Sequence, residues 1–413
     1  MAKKTIDQVN VEGRRVLMRV DFNVPLEGAR ITDDRRIVQA LESIRSVIDR
    51  GGRLILMSHL GRPEGKVNPA FSLRPVAEHL GTLLKKAVTF VPDCIGPQAE
   101  AAVKAMRPGD VVLLENLRFH AEEDLIDKAK KNPDKKPTPE QAARIEAFAA
   151  ALSRLGEIYC NNAFGTCHRK HVSMYDVPMK LGGGKRVCGH LVQKELRFLG
   201  EAMANPKRPF VAILGGAKVS DKIGVIKNLL PKVDSILIGG GMAYTFFAAQ
   251  GVGVGKSLCE RDKLELAGEL LAAGNGKIQL PTDSVCAAAL QKNAAAKVVT
   301  GAIGDDLAGF DIGPATIKAY GEKIRTAKTI VWNGPMGVFE TPPFDAGTVA
   351  IAKALADATG KGAISIIGGG DSAAAADAAG VADRITHIST GGGASLEFME
   401  GKPFKTIELL DEA

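Results

Sequence analysis

Short apolar runs recur along this 413-residue chain, and each is followed by a loop and then by a stretch with helical periodicity. Most of the runs are apolar almost throughout, which is typical of strands covered by helices on both faces. Helical periodicity is clear in Asp221–Leu230 and Thr348–Thr359. Alternating strands and helices predict an α/β fold with parallel sheets, and the chain length predicts two of them. The predicted strands are Arg15–Val20, Arg53–Met57, Asp110–Leu114, Glu157–Cys160, Phe210–Leu214, Ser235–Ile238, Thr329–Trp332 and Ala363–Ile367.

The loops that follow these strands differ between the two halves of the chain. Up to about residue 175 they carry arginine and histidine, in Asp21–Asn23, Ser58–Pro63, Glu115–His120 and Gly165–Arg169. From about residue 210 they carry glycine, in Gly215–Lys218, Gly239–Gly241, Asn333–Pro335 and Gly368–Ser372. Ligands of open parallel sheets bind outside the carboxyl ends of the strands. The sequence therefore predicts a cationic pocket in one domain and a backbone-lined pocket in the other.

Composition narrows the class of protein. The chain is 45% hydrophobic and 24% charged, which is typical of globular proteins. Its net charge of +7 suits acidic small molecules, whereas an aromatic content of 5% offers little for stacking nucleic-acid bases. The lysines of the charged stretch Glu122–Glu140 are interleaved with acids, so we interpret the stretch as solvated surface rather than a nucleic-acid signal.

Cysteine spacing and the N-terminus indicate the compartment. The six cysteines show no C-x-x-C spacing, which argues against a disulfide scaffold and a thiolate metal site. The first ten residues form no apolar segment, and glycines interrupt the uncharged run Ser235–Gly255. We therefore expect neither a signal peptide nor a membrane span, and a cytoplasmic location.

Four arginines lie in or beside the loops of the first half: Arg36, Arg62, Arg118 and Arg169. Each alone is typical of a protein surface. Together at one sheet edge they predict an anion site, because guanidinium groups pair bidentately with phosphate or carboxylate. His59 offers a further donor.

The glycine-rich junctions of the second half predict phosphate binding, since glycine allows close backbone approach and a helix start favours anions. In Gly368–Ser372, Asp371 or Ser372 caps the following helix, or Asp371 holds Mg²⁺. Lys218 and Lys222 are four residues apart at a predicted helix start, which places them on one face. They indicate an anion between them, or simply a solvated face. Gly251–Ser257 resembles a phosphate loop, but Gln250 stands where a Walker A motif needs glycine.

Three function classes are compared with this layout. A phosphotransferase would use the arginines for one substrate and the glycines and lysines for phosphates. A nicotinamide-dependent dehydrogenase would need G-x-G-x-x-G spacing, which the glycine junctions lack. A non-catalytic binding protein would need neither Lys218, Lys222 nor Asp371.

At Arg19–Pro25, with the sequence RVDFNVP, the chain resembles the phosphoglycerate kinase family. The resemblance covers essentially the whole chain. Three departures are Cys167 where the family usually has alanine, Ser372 where it often has threonine, and Val192-Gln193 where Met-Glu is common. The similar motifs continue through Ser58–Pro63, Glu115–His120, Ala163–His171, Leu214–Lys222, Ile238–Phe246, Asp311–Pro314, Trp332–Glu340, Gly368–Ala373 and Ser389–Glu397.

The resemblance implies two doubly wound (Rossmann-like) parallel-sheet domains facing each other across a cleft. It implies an N-terminal 3-phosphoglycerate domain (1–179), a connector helix (180–197), a nucleotide domain (198–393) and a C-terminal segment (394–413) returning to the first domain. The implied reaction is in-line transfer of the acyl phosphate of 1,3-bisphosphoglycerate to ADP, with Mg²⁺, after domain closure. A monomer with small-molecule partners, binding neither nucleic acid nor membrane, is also implied.

The resemblance also assigns residues. The glycerate site comprises Asp21, Phe22, Asn23, Arg36, His59, Leu60, Gly61, Arg62, Arg118 and Arg169. The nucleotide site comprises Lys222, Gly313, Glu340 (on the ribose), Gly369, Gly370, Asp371 and Ser372, with Asp371 as the metal ligand. The catalytic residues are Arg36, Lys218 and Lys222.

Overall fold

The chain folds into two units in a computed structural model that describes residues 2–127 and 136–413. One unit comprises Met1–Leu196 and Pro403–Ala413, and the other comprises Arg197–Lys402. Lys128, Lys130, Lys131 and Lys135 of the charged stretch lie outside the described residues. Within the described part of the chain, no helix is both long and apolar enough to cross a membrane.

The first unit is built on a parallel sheet of six strands in the order β5-β6-β4-β1-β7-β8. Its strands are β1 (Arg15–Val20), β4 (Arg53–Met57), β5 (Val88–Val91), β6 (Val111–Leu114), β7 (Ile158–Asn162) and β8 (Arg186–Cys188), with a small hairpin of β2 (Leu26–Glu27) and β3 (Arg30–Ile31). Its helices are α1 (Arg35–Ile48), α2 (Arg74–Leu84), α3 (Pro97–Lys104), α4 (Pro139–Arg154) and α5 (Asp176–Leu181), together with α14 (Lys405–Glu408) near the C-terminus. Helix α6 (His190–Ala204) contains the boundary between the two units.

The core of the first unit explains why its central strands are apolar throughout. In the sheet, Val16 of β1 lies opposite Leu54 of β4 on one side and Ile158 of β7 on the other. Helix α1 buries Ile37 and Ile44, two turns apart on one face, in the same apolar cluster. Burial on both faces of the sheet removes the alternation that a half-exposed strand would show.

The second unit is built on another six-stranded parallel sheet, in the order β11-β10-β9-β15-β16-β17, and on a three-stranded antiparallel sheet, β13-β12-β14. The strands are β9 (Phe210–Leu214), β10 (Ser235–Ile238), β11 (Ile278–Gln279), β12 (Asp283–Ala287), β13 (Lys297–Thr300), β14 (Ala308–Ile312), β15 (Thr329–Asn333), β16 (Ile364–Gly368) and β17 (His387–Ile388). The helices are α7 (Ile223–Leu229), α8 (Met242–Ala249), α9 (Leu264–Gly274), α10 (Pro314–Thr326), α11 (Ala346–Gly360), α12 (Gly370–Ala378) and α13 (Gly393–Met399).

The predicted α/β class with two parallel sheets is confirmed, and all eight predicted strands are present within two residues of their predicted ends. The sequence missed the edge strands β5, β8, β11 and β17 and the antiparallel sheet. Edge strands pair on one side only, so they can be short and partly exposed, as β5 is. Such segments lack the continuous apolar run on which the other predictions were based.

The predicted connector, Lys180–Arg197, is not one continuous helix, because it contains the end of α5, then β8 and then the start of α6. Residues Arg186–Cys188 form β8 and pair with β7, and α6 begins at His190. The uniform helix expected after Gly182–Gly184 is therefore wrong for β8, where Val187 and Cys188 are fully buried in the sheet.

The last residues of the chain pack in the first unit. The Lys4 N–H donates to the Asp411 carbonyl at 2.8 Å, and the Thr406 hydroxyl donates to the Cys167 carbonyl at 2.5 Å. Helix α13 instead belongs to the second unit. The functional domain limits 1–179, 180–197, 198–393 and 394–413 stay predictions.

Candidate active site

The loop after β1 and the start of α1 bring Asp21 and Arg36 together. The Arg36 Nη1 donates to Asp21 Oδ2 at 2.7 Å. The Asp21 side chain is 11% exposed and that of Arg36 is 33% exposed, so the guanidinium is oriented by the ion pair and still meets solvent. An anion can therefore reach an arginine whose position is already fixed.

Backbone and amide hydrogen bonds connect the loops after β1, β4 and β6. The Gly61 N–H donates to Asn23 Oδ1 at 2.9 Å, and the N–H of the buried Phe22 donates to Ser58 Oγ at 2.9 Å. Asn116 bonds both backbone groups of Leu60, accepting from its N–H at 3.2 Å and donating to its carbonyl at 2.7 Å. Three of the four predicted loops thus form one connected edge.

His59 lies buried in this edge as a neutral donor. Its Nδ1 is 3.2 Å from Arg19 Nη2, and because a guanidinium can only donate, Nδ1 accepts and the proton sits on Nε2. Burial and the charges of Arg118 and Arg19 hold the pKa of His59 well below its ordinary value. Arg19 itself is fully buried, donates to Ser173 Oγ at 2.9 Å and lies 3.8 Å from Glu123 Oε1.

Arg118 lies in a 3-10 turn, Leu117–Phe119, that follows β6. Its Nη1 donates to the Gly61 carbonyl at 2.7 Å, and its Nε lies 3.8 Å from Asp124 Oδ2. Burial lowers the pKa of this guanidinium, although an arginine stays charged at any physiological pH. Arg62 is in the same loop as Gly61, and its side chain is exposed.

Arg169 lies on the loop after β7, at the same edge of the sheet. Its Nε donates to His168 Nε2 at 3.0 Å, which requires that imidazole nitrogen to be unprotonated. Burial, followed by the charge of Arg169, lowers the pKa of His168 to about 4. The neighbouring Cys167 is buried, and burial raises its pKa to about 12, so its thiol is neutral at physiological pH.

The low pKa of His168 gives a pH dependence with a definite sign. Unfolded histidine binds a proton below about pH 6.5, whereas folded His168 resists protonation down to about pH 4, so stability falls as pH falls through this window. We compare the fall in unfolding free energy between about pH 7.5 and about pH 5.5 in the wild type and in His168→Gln. The fall should be about 1 kcal/mol smaller in His168→Gln. Urea unfolding at both pH values measures it. An unchanged decrease in His168→Gln would contradict the assignment.

In the second unit, a pocket of about 370 Å³ opens beside the glycine-rich loops. Two predicted nucleotide residues, Glu340 and Asp371, line it. Leu258, Leu290 and Phe310 also line it, and sequence reasoning did not find them because they come from segments between the recognised motifs. Its walls are mostly apolar, with carboxylates and glycine backbone at the margins.

Close contacts between loops explain glycines in the motifs. Gly334 has φ +94°, and a Cβ there would lie 2.2 Å from the Gly215 carbonyl oxygen. Gly240 has φ +67°, and its Cβ would lie 2.6 Å from the Gly216 carbonyl oxygen. These two positions exclude a side chain because loops pack backbone to backbone, whichever ligand the pocket takes.

The predicted pairing of Lys218 and Lys222 on one helix face is wrong. Helix α7 begins at Ile223, so Lys222 is its N-cap and Lys218 lies exposed in the preceding loop. Lys222 contacts the side chain of Asn333, and burial lowers its pKa. The loop is anchored by Ser220, whose hydroxyl donates to Glu260 Oε1 at 2.6 Å. Lys218 therefore projects from a fixed loop rather than from a helix.

The start of α12 also differs from the prediction. Its N-cap is Gly369, with φ +95°, so the capping role predicted for Asp371 or Ser372 is wrong. The Ser372 hydroxyl is buried and accepts from the Gly334 N–H at 2.6 Å. Gly370 and Asp371, in the first turn, are exposed. Asp371 thus keeps its carboxylate for a ligand in the pocket.

Gly313 is the N-cap of α10 and lies against Asp283. A Cβ at Gly313 would be 2.3 Å from Asp283 Cγ, so packing explains the glycine here. Its nucleotide role stays a prediction.

Comparison with known proteins decides the family. A family model described as phosphoglycerate kinase matches residues 6–402. The chain belongs to the phosphoglycerate kinase family. It is therefore a glycolytic kinase, a phosphotransferase with a carboxyl group as acceptor.

Individual members of the phosphoglycerate kinase family agree with this assignment over their full length. The phosphoglycerate kinase of Rhodopirellula baltica is 55% identical over 418 residues, covering 100% of each chain. That of Chlorobaculum tepidum is 55% identical over 417 residues with the same coverage. Among solved structures, phosphoglycerate kinase from Coxiella burnetii is 39% identical, with a TM-score of 0.85 and 98% coverage of each chain. The Pyrococcus horikoshii structure is 30% identical, with a TM-score of 0.81 and 98% coverage of each chain.

The sequence motifs contain most of the side chains described above at the carboxyl-terminal edges of the two parallel sheets. They did not identify the supporting residues Arg19, Asn116 and Glu123, each of which is buried. Arg19 left one detectable signal, a charged residue inside the apolar run of β1. Asn116 and Glu123 left none, because their roles depend on contacts with other loops.

Proposed function

We propose that this chain transfers the acyl phosphate of 1,3-bisphosphoglycerate to ADP, reversibly, giving 3-phosphoglycerate and ATP. Besides membership of the phosphoglycerate kinase family, one structural observation supports this proposal. Loops bearing Arg36, His59 and Arg118 are joined at one edge of a parallel sheet, where they form a cationic site for a small anion. The pocket in the second unit supplies the second ligand site.

The glycerate substrate binds in the first unit. Arg36, Arg62, Arg118 and Arg169 neutralise its phosphate and carboxyl groups, because planar guanidinium groups match both anions. His59 donates from Nε2. The hydrogen bond between Asn23 and Gly61 holds their two loops in place. Asp21 orients Arg36, and Phe22 and Leu60 anchor their loops by burial.

The nucleotide binds in the second unit. Apolar walls from Leu258, Leu290 and Phe310 suit the flat face of a purine, and Glu340 accepts from ribose hydroxyls. The phosphates lie at the start of α12, where Gly369 and Gly370 allow close backbone approach. Lys222 adds a positive charge, and Ser372 holds the neighbouring loop through Gly334.

The reaction needs positioning and charge stabilisation more than covalent catalysis. A β-phosphate oxygen of ADP forms a bond to phosphorus as the bond from phosphorus to the carboxyl oxygen breaks. Lys218 and Arg36 stabilise the charge that spreads over the migrating phosphoryl group. Because water competes for the acyl phosphate, transfer follows domain closure, which is part of this proposal.

Mg²⁺ fits the donor set at the start of α12. It typically takes one or two carboxylates together with phosphate oxygens, and Asp371 offers an exposed carboxylate on the pocket wall. Asp371 would hold the ion, which when bound neutralises phosphate charge.

Asp371→Asn should weaken binding of the magnesium nucleotide by about tenfold or more, while free ADP binds nearly as before. The reason is that the amide loses the charge that attracts the metal but keeps its size. Calorimetric titration with and without Mg²⁺ measures both affinities. Asp377→Asn, also exposed and on the same helix, is the matched control and should change neither. Equal losses with and without Mg²⁺ would remove Asp371 as the metal ligand.

A coupled assay for ATP formed from the acyl phosphate and ADP tests the reaction itself. We expect product only when both substrates and Mg²⁺ are present. A protein that binds both ligands without forming ATP would be a binding protein, and the proposed reaction would be wrong.

A further inference from the structure

Three side chains of different chemistry meet in the first unit, and none of them is assigned to the substrate. Asp93 and Cys94 follow β5, and His120 follows the turn after β6. One potential ligand atom from each, a carboxylate oxygen, the thiol sulfur and an imidazole nitrogen, lies within 4.8 Å of the other two. His120 Nε2 and Asp93 Oδ1 are 2.7 Å apart.

We propose that Asp93, Cys94 and His120 bind a divalent transition-metal ion of the zinc class. Thiolate, imidazole and carboxylate are the three ligand types that Zn²⁺ takes in proteins, and three protein ligands leave one position for water. Such a mixed set does not favour Mg²⁺ or Ca²⁺, which take oxygen ligands. When the metal binds, the thiol proton is released to solvent, and the proton that His120 Nε2 donates to Asp93 leaves that nitrogen, with Nδ1 carrying the proton of the neutral ring.

The distances require only small movements. In a tetrahedral zinc site with bonds of about 2.0–2.3 Å, neighbouring ligand atoms are about 3.3–3.7 Å apart. The pair at 2.7 Å must open by roughly half an ångström, and the sulfur, which lies within 4.8 Å of both other atoms, needs to come closer by at most about 1.5 Å. Side-chain rotation at the two exposed ligands supplies such movements, because the Asp93 side chain is 47% exposed and that of His120 is 26% exposed.

Two of the ligands are already oriented. The Asp93 Oδ1 accepts from the Cys94 N–H at 2.6 Å, which restricts the rotation of the carboxylate. The His120 ring stacks on Phe148, with centroids 5.1 Å apart and an interplanar angle of 24°. Contacts of this kind hold the two side chains near their binding direction, so that only small rotations remain when the metal binds.

The cysteine spacing argued against a thiolate metal site because no two cysteines have C-x-x-C spacing. That criterion detects only ligands that are close together in the chain. Here Cys94 and His120 lie in the segments that follow β5 and β6, which are neighbours in the sheet. A bound ion joins these two chain segments and is expected to stabilise the first unit. It has no part in the proposed phosphoryl transfer, so the two proposals are tested separately.

Titration of the full-length protein with Co²⁺, after chelator treatment, tests the site. Co²⁺ shares these ligands and reports a thiolate ligand by a charge-transfer band. We expect one equivalent bound with that band in the wild type, no band in Cys94→Ser, and affinity at least about tenfold lower in His120→Asn and Asp93→Asn. Cys259→Ser, at a partly exposed cysteine, is the control and should keep the band.

Three results would overturn the proposal: no binding by the wild type, a band that survives in Cys94→Ser, or a band lost in Cys259→Ser. The first would mean that Asp93 and His120 form only a hydrogen-bonded pair. If Cys94→Ser does not fold, Asp93→Asn decides, because its side chain is near the surface. Thermal unfolding with Zn²⁺ gives a second readout, with a rise in Tm for the wild type and a smaller rise for Asp93→Asn.

Discussion

Arg36→Ala is expected to reduce turnover by about 10²–10³, equivalent to about 3–4 kcal/mol of transition-state stabilisation. Arg36 belongs to the first unit, and the nucleotide pocket is lined by residues of the second. Affinity for the magnesium nucleotide should therefore stay nearly unchanged. Steady-state kinetics of ATP formation and calorimetric titration of the nucleotide measure the two effects.

Arg35→Ala is the matched control for this prediction. Arg35 is the neighbouring residue in α1, its side chain is 51% exposed, and it pairs with Asp33 rather than Asp21. It should keep nearly wild-type turnover. Arg36→Lys separates charge from geometry, since lysine keeps the charge but not the bidentate fork. If Arg36→Ala retained more than about half of wild-type turnover, Arg36 would have no part in the mechanism.

Lys218→Ala is expected to lower turnover by a similar factor of about 10²–10³ without changing thermal stability. Lys218 is exposed in a loop that Ser220 and Glu260 hold in place, so truncating it should leave the fold intact. The rate falls because the positive charge of Lys218 no longer stabilises the negative charge of the migrating phosphoryl group. Single-turnover kinetics, which isolate the transfer step, are the appropriate measurement.

Lys227→Ala removes an equally exposed charge from α7 and serves as the control. It should leave the transfer rate unchanged. Equal losses in the two variants would mean that the net charge of the unit matters, not a specific contact of Lys218. A normal rate in Lys218→Ala would leave Arg36 as the remaining candidate for stabilising the phosphoryl group.

The two parallel sheets and the loops that carry the candidate site residues were predictable from the sequence. Central strands such as β1 and β9 are buried on both faces, so their continuous apolar runs are visible in a single sequence. The carboxyl ends of parallel strands share one edge, so Arg36, His59 and Arg118 could be placed together before any contact was known.

The buried groups that support the site and the strands at the sheet edges could be identified only from the folded structure. Arg19 and Glu123 meet only because β1 and the chain after β6 converge in the fold. Strand β8 is too short for its pattern to outweigh the helical one that follows it. The start of α7 at Ile223, which separates Lys218 from Lys222, likewise depends on how the loop is anchored by Glu260. Local patterns record burial and backbone preference, whereas contacts between distant segments leave no period in the sequence.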